Sequence, residues 1–275
     1  MAGLIEATAL TTTSDGYVAV LDPAWDIWGP AGGYLAAISL RAVRERAIEG
    51  HRPVTITGQF VRVARPGTLD VTIEPIKESS SALYTITLAQ DGKPVFLAQV
   101  WTTARNDFSL PVVPVMPEVP QPAMLRDQNE IMAERGVQQN KFWSNLESRP
   151  VHFRLYNDPL PPVLNQYRWT RFREWSNGED WFYDAMRTAL LIDLGIWPGH
   201  WHQLTETGSY LAPSLDLTVY FHNREPAGDW LLSDANSDVS GDGLISGRVR
   251  IWSNDGRALA TGSGNCLVTV PRKSG

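Results

Sequence analysis

The chain of 275 residues contains one cysteine, Cys266, so an internal disulfide framework and a cysteine-rich zinc site are both excluded. Cys266 reads as a small core residue. No apolar run approaches the roughly 20 residues that a membrane-spanning helix needs, so insertion in a membrane is not expected. The opening MAGLIEATALTTTSDG has no basic leader region and carries Glu6, which argues against a secretory signal and for the cytoplasm. A net charge of −6 lacks the dense basic footprint that nucleic acid or an anionic membrane surface requires. There is no GxSxG elbow, which disfavours an α/β serine hydrolase. Gly241, Gly243 and Gly247 only imitate a dinucleotide loop, because a strand and not a helix follows them. His200 and His202 have no third ligand nearby in sequence, so neither a metal nor another cofactor is expected.

Two helix-forming stretches organise what is present. Trp181 to Pro198, WFYDAMRTALLIDLGIWP, is apolar with Asp193 near its end, and Gly29 to Ile48 forms a counterpart in the first half. The first-half helix starts near Gly32 and Gly33, presents Tyr34, Leu35, Ile38 and Ala42 as its apolar stripe, and gathers Arg41, Arg44, Glu45 and Arg46 at its solvated end. Gly50 and Pro53 stop it.

Each helix precedes four segments with a period of two. In the first half these are VTITGQFVRVA, TLDVTIEPIKES, SALYTITLAQ and PVFLAQVWTTA; in the second they are SLDLTVYFH, DWLLSDANSD, LISGRVRIWS and RALATGSGNCLVTV. A strand precedes each helix, GYVAVL in one half and QYRWTRFRE in the other. Gln90-Asp91-Gly92-Lys93 and Asn254-Asp255-Gly256-Arg257 each join the last two strands of a half and suggest a shared turn plan. Between them, residues 106–150 are proline-rich and read as an extended linker with a short helix over Gln128 to Arg135. The expected units are therefore 1–105, 106–150 and 151–275, an α+β arrangement in which a curled antiparallel sheet covers a long helix twice. A pocket is expected between the copies.

With GPAGGYLAAISLRA and QFVRVARPG in the first half, and LLIDLGIWP, APSLDLTVYFH, DWLL and SNDGRALA in order in the second, the chain resembles the TesB-type double-hotdog acyl-CoA thioesterases. The resemblance implies a double hotdog, a thioester hydrolase acting on fatty acyl-CoA, and assembly into homo-oligomers through the outer sheet. It also implies a site in which a helix aspartate, a hydroxyl residue and a strand glutamine hold the attacking water. These positions fall on Asp193, Ser214 and Gly264, and the last has no side chain. Asn265 is adjacent and could supply the amide only if a bulge turned it, since neighbouring side chains on a strand face opposite ways. Gly262 and Gly264 would accommodate such a bulge.

The residues can also be read without the family. Asp193 lies among Leu190, Leu191, Ile192, Leu194 and Ile196, where it is either a desolvated general base or an exposed last-turn aspartate. Gly32 and Gly33 are either donors to an oxyanion or plain helix-entry glycines. Ser214 is either a water-orienting hydroxyl or a strand-entry residue after Pro213, and Asp216 would share its face. Trp181, Phe182, Trp197, Trp201 and Tyr210 line an acyl tunnel or pack the core. Arg62, Arg65, Arg171 and Arg173 meet coenzyme A phosphates or sit on solvated faces. Two other functions stay open: an acyl-CoA or acyl-carrier binding protein without turnover, which Gly264 favours, and an enoyl-thioester hydratase.

Overall fold

The structure, a computed structural model, describes residues 3–105, 114–155, 158–175, 180–204, 210–224 and 230–269. A short helix α1 (Leu4–Ala7) and strands β1 (Thr11–Thr13) and β2 (Gly16–Leu21) lead to helix α2 (Gly32–Arg46). Strands β3 (Arg52–Phe60), β4 (Gly67–Lys77), β5 (Ser81–Gln90) and β6 (Lys93–Thr103) follow. Helix α3 (Gln128–Glu134) precedes β7 (Leu146–Pro150), β8 (Gln166–Phe172) and helix α4 (Trp181–Trp201). The described chain closes with β9 (Ser214–Phe221), β10 (Leu231–Gly241), β11 (Leu244–Ser253) and β12 (Ala258–Leu267).

These strands form a single antiparallel sheet in the order β1-β2-β4-β5-β6-β3-β9-β12-β11-β10-β8-β7. The two halves meet at β3 and β9, where Thr57 lies opposite Thr218 and Gly58 opposite Leu217. Each half of the sheet curls over its own helix, and α2 packs directly against α4. The edge-to-edge and helix-to-helix unions therefore occur together. Because sheet and partner helix cover α2 from both sides, nearly all of it is buried from Gly33 to Val43, well beyond the stripe that its sequence suggests. Its charged end is likewise engaged: Arg44 Nε donates to Asp180 at 2.6 Å, and Arg41 pairs with Glu45 at 2.8 Å.

The structure changes several expected boundaries. α4 runs through Pro198 to Trp201, so His200 is helical and not in a loop. Pro198 removes one N–H in the last turn, but the turn is held by packing, since the rings of Trp197 and Trp201 stack at 5.2 Å. The linker contributes more than extended chain. Its end forms the edge strand β7, and residues 114–125 lie over the outer face of the second half, where Met116, Val119 and Leu125 cover Trp169, Leu232 and Trp252. Trp169 Nε1 donates to the Pro120 carbonyl at 2.9 Å, which fixes that cover in place. Residues 106–113, including Pro111, and the expected strand ends at Asp229 and Val270 lie outside the described residues.

The two DG turns do not share a plan. Asp91 and Gly92 both have positive φ, as a two-residue hairpin turn requires. At the second site only Gly256 does, and the loop closes instead through Ser253, whose N–H donates to the Arg257 carbonyl at 2.9 Å. The conformational match to Asp91-Gly92 is Asp242-Gly243, in the β10–β11 hairpin that the glycine run introduces.

Helix contact depends on Gly33. A Cβ there would stand 2.5 Å from the Leu190 Cα, inside any permitted separation. Gly33→Ala is expected to cost about 1–3 kcal/mol by forcing the helices apart. Urea denaturation measures it, and an unchanged midpoint would show that the contact is not tight.

Candidate active site

The site lies where the N-terminus of α2 meets α4. α2 begins after Ala31, which has no side chain able to cap it. Its cap comes from the other half: the Gly33 N–H donates to Asp193 Oδ2 at 2.7 Å. The second carboxylate oxygen, Oδ1, accepts from Ser214 Oγ at 3.2 Å. Gly32 also borders this oxygen, since a Cβ there would lie 2.9 Å from Oδ1 and 2.8 Å from the Phe60 ring. The Gly32 N–H has no partner among the described residues. Of the two glycines expected to offer donors, Gly33 is therefore committed to Asp193 and Gly32 is free.

Asp193 keeps partial access to solvent, but the surrounding helices and sheet desolvate its carboxylate and raise its pKa; the Gly33 and Ser214 hydrogen bonds act in the opposite direction. An accessible carboxylate of raised basicity, with a hydroxyl beside it, is suited to accept a proton from water.

The strand register decides which other residues join. β9 carries a bulge at Leu215, because Asn265 lies opposite Asp216 while Cys266 lies opposite Ser214. Ser214 consequently faces α4, whereas Asp216 faces outward. The shared face expected for Ser214 and Asp216 does not exist. Asp216 Oδ1 accepts from both the N–H and the Nδ2 of Asn265, at 2.8 and 2.9 Å, and Ser246 Oγ donates to Asn265 Oδ1. Asn265 is thus held on the outer face, turned away from Asp193. The bulge that would have rescued it falls on the neighbouring strand instead.

Gly264 does face α4, toward Ile196, but a Cβ there would be 2.7 Å from the Asp216 carbonyl oxygen. The position is closed by backbone. Gly262 is closed in the same way, 2.5 Å from the Thr218 carbonyl, so α4 packs low on β12 through Ile192 and Ile196. The inward residue that comes next to Ser214 is Cys266, whose Sγ lies 4.0 Å from Ser214 Oγ. Burial and the nearby Asp193 charge push its thiol up to about 12, so it is neutral at physiological pH. Cys266 was expected only as core, yet its period-two spacing from Gly264 was the available signal. Phe60 was missed altogether, because a strand-end phenylalanine has no feature that links it to α2 or α4.

Trp181 is not brought to this site. It opens α4, about 18 Å along the axis from Asp193, and its ring lies under Arg52 and Arg224 at 5.1 and 5.6 Å. Trp197, one turn after Asp193, clusters with Trp201 and Tyr210 instead. The strand arginines are mostly engaged: Arg171 pairs with Glu147 at 2.6 Å, Arg65 with Asp91 at 2.9 Å, and Arg62 donates to the Pro94 carbonyl at 2.6 Å. Arg173 lines a small cleft with Trp25, Asn145 and Phe172. Among the described residues no three His, Cys, Asp or Glu side chains converge as metal ligands.

Two family models match: the acyl-CoA thioesterase N-terminal domain over residues 21–103 and the acyl-CoA thioesterase C-terminal domain over residues 119–268. The chain belongs to the acyl-CoA thioesterase family, a family of thioester hydrolases. It is 25% identical over 261 residues to human acyl-coenzyme A thioesterase 8, covering 85% of this chain and 80% of that protein. Among solved structures, a hot dog fold protein of unknown function from Alicyclobacillus acidocaldarius matches with a TM-score of 0.81 at 22% identity, covering 98% of each chain. The acyl-CoA thioesterase II TesB2 from Mycobacterium marinum matches with a TM-score of 0.77 at 22% identity, covering 98% of this chain and 99% of that one. The α+β double hotdog implied by the sequence resemblance is the fold found. No helix among the described residues is long and apolar enough to cross a membrane.

Because the Gly264 position is closed by backbone, Gly264→Gln is expected to destabilise the fold by about 1–3 kcal/mol and not to raise activity. Thermal melting together with thiol-release rates checks this. A stable and faster variant would show that β9 yields to the side chain.

Proposed function

We propose that the chain hydrolyses a fatty acyl-CoA thioester to the free acid and coenzyme A, with water activated by Asp193. The observation that carries this reading is the carboxylate held between the Gly33 N–H and the Ser214 hydroxyl, at a pKa raised by burial. Asp193 Oδ1 takes a proton from a water that Ser214 orients, and the water oxygen attacks the thioester carbonyl carbon. The Gly32 N–H, at the positive end of α2, stabilises the developing oxyanion. As the intermediate collapses, the carbon–sulfur bond breaks and the departing thiolate takes up the proton that Asp193 accepted, which restores the carboxylate. Phe60 beside Gly32 excludes bulk water from the carbonyl.

The closed Gly264 position favours a second reading, in which the site binds an acyl-CoA or acyl-carrier thioester without turnover. Release of free thiol from short, medium and long acyl-CoAs separates the two. For hydrolysis, Asp193→Asn is expected to lower kcat by a factor of about 10²–10⁴ while acyl-CoA binding persists. Binding without thiol release by the unaltered protein would establish the second reading.

Asparagine keeps the acceptor for Gly33 and removes the charge. Because folding raises the Asp193 pKa, ionisation of this group opposes folding; the cost is full above the folded pKa and disappears as pH falls through it. Asp193→Asn should accordingly melt no lower than the parent at neutral pH, whereas Asp193→Ala, which leaves the helix uncapped, should lose about 1 kcal/mol.

The same shift sets the pH profile. kcat/KM should rise with pH through a pKa above the ordinary aspartate range and reach a plateau once Asp193 is ionised. A profile flat from pH 4 to 8 would exclude Asp193 as the base.

A further inference from the structure

The Ser214 hydroxyl is only loosely directed by its contact with Asp193. Its oxygen lies 3.2 Å from Asp193 Oδ1, long for a hydroxyl donating to a carboxylate, and a serine proton turns about its own C–O bond. That contact alone leaves the direction of the proton unset. The amide that the family resemblance implies at position 264 cannot set it, because a Cβ there would stand 2.7 Å from the Asp216 carbonyl, and Asn265 is held on the outer face.

Cys266 is placed to do so. The bulge at Leu215 brings it directly opposite Ser214 on the neighbouring strand, and its Sγ lies 4.0 Å from Ser214 Oγ, at the outer reach of a sulfur hydrogen bond. The thiol is buried, and Ser214 Oγ is its one hydrogen-bonding partner among the described residues.

The chemistry of the three groups gives this contact a direction. An ionised carboxylate only accepts, a hydroxyl both donates and accepts, and a thiol is chiefly a weak donor. If the serine donated to sulfur, Asp193 Oδ1 would lose its partner. Burial and the Asp193 charge push the thiol up to about 12, so the S–H donor persists at neutral pH. With that S–H aimed at one lone pair of Ser214 Oγ, the serine proton is left to face Asp193 and the other lone pair is open to water. A weak donor suffices, because it selects an orientation and does not have to supply much energy.

We propose that Cys266 is a positioning residue acting through Ser214: its S–H donates to Ser214 Oγ and holds the serine proton on Asp193 Oδ1. It thereby supplies the orientation that position 264, without a side chain, does not. The consequence for turnover rests on the hydrolytic reading; the hydrogen bond itself does not.

Cys266 is the single thiol of the chain, so its S–H stretch gives one infrared band in a region free of other protein absorption. The band is expected to move to higher frequency in Ser214→Ala, where the acceptor is gone, and an unmoved band overturns the proposal. Turnover gives the second readout. Cys266→Val fills a similar volume without a donor; it is expected to lower kcat roughly three- to tenfold at unchanged KM, and to add no further loss to Ser214→Ala. Cys266→Val as fast as the parent, or an equal loss in both backgrounds, means that Cys266 only packs and overturns the proposal. Should Cys266→Val fail to fold, Cys266→Ala is judged by the same criteria. A moved band in a protein that releases no coenzyme A keeps the Cys266 assignment and removes the hydrolytic reading.

Discussion

The hydrogen bond from the Gly33 N–H to Asp193 connects the two halves, and much of the structure follows from it. Helix α2 begins with unsatisfied backbone donors and no local side chain to meet them, so a carboxylate from the second half takes that role. The bond can form only because Gly33 has no Cβ, which brings the α2 backbone onto the Leu190 Cα. The same contact encloses Asp193 and thereby raises its pKa, while the N–H it receives limits the rise. The group that joins the helices is also the group with basicity suited to proton transfer.

A single extra residue in β9 shapes the surroundings of that carboxylate. The bulge at Leu215 turns Ser214 inward and Asp216 outward, while the Asp216 carbonyl lies against Gly264 as the Thr218 carbonyl lies against Gly262. In a regular ladder Ser214 and Asp216 would have lined one face. The inward row of β12 is instead almost without side chains until Cys266, so Ile192 and Ile196 fill the volume. Asn265, Asp216 and Ser246 satisfy one another on the outer face.

The halves differ on their outer surfaces. The second is covered by the proline-rich segment, which buries Trp169, Leu232 and Trp252 as a small separate core. In the first half Trp101 and Leu97 remain partly accessible on the equivalent side. Proline suits the cover because an extended chain with few N–H groups can lie on a sheet without leaving donors unpaired.

Local pattern alone determined a good deal. Alternation of apolar residues marked the strands, the apolar run around Asp193 marked α4, and Asp91-Gly92 fixed a hairpin, because these features depend on near neighbours in the chain. That Arg168, Thr170 and Phe172 share one face of β8 also follows from a period of two, but which face is inward does not. The tertiary structure decided the rest. Whether Asp193 was exposed or desolvated depended on a helix 160 residues away in sequence. The extension of α4 past Pro198 rested on ring packing, and the exclusion of Asn265, Asp216 and Trp181 from the centre rested on strand register and helix length. A sequence records which side chains are available and how they alternate; it does not record which backbone carbonyl of another strand fills the space beside a glycine, and at Gly264 that carbonyl determined the outcome.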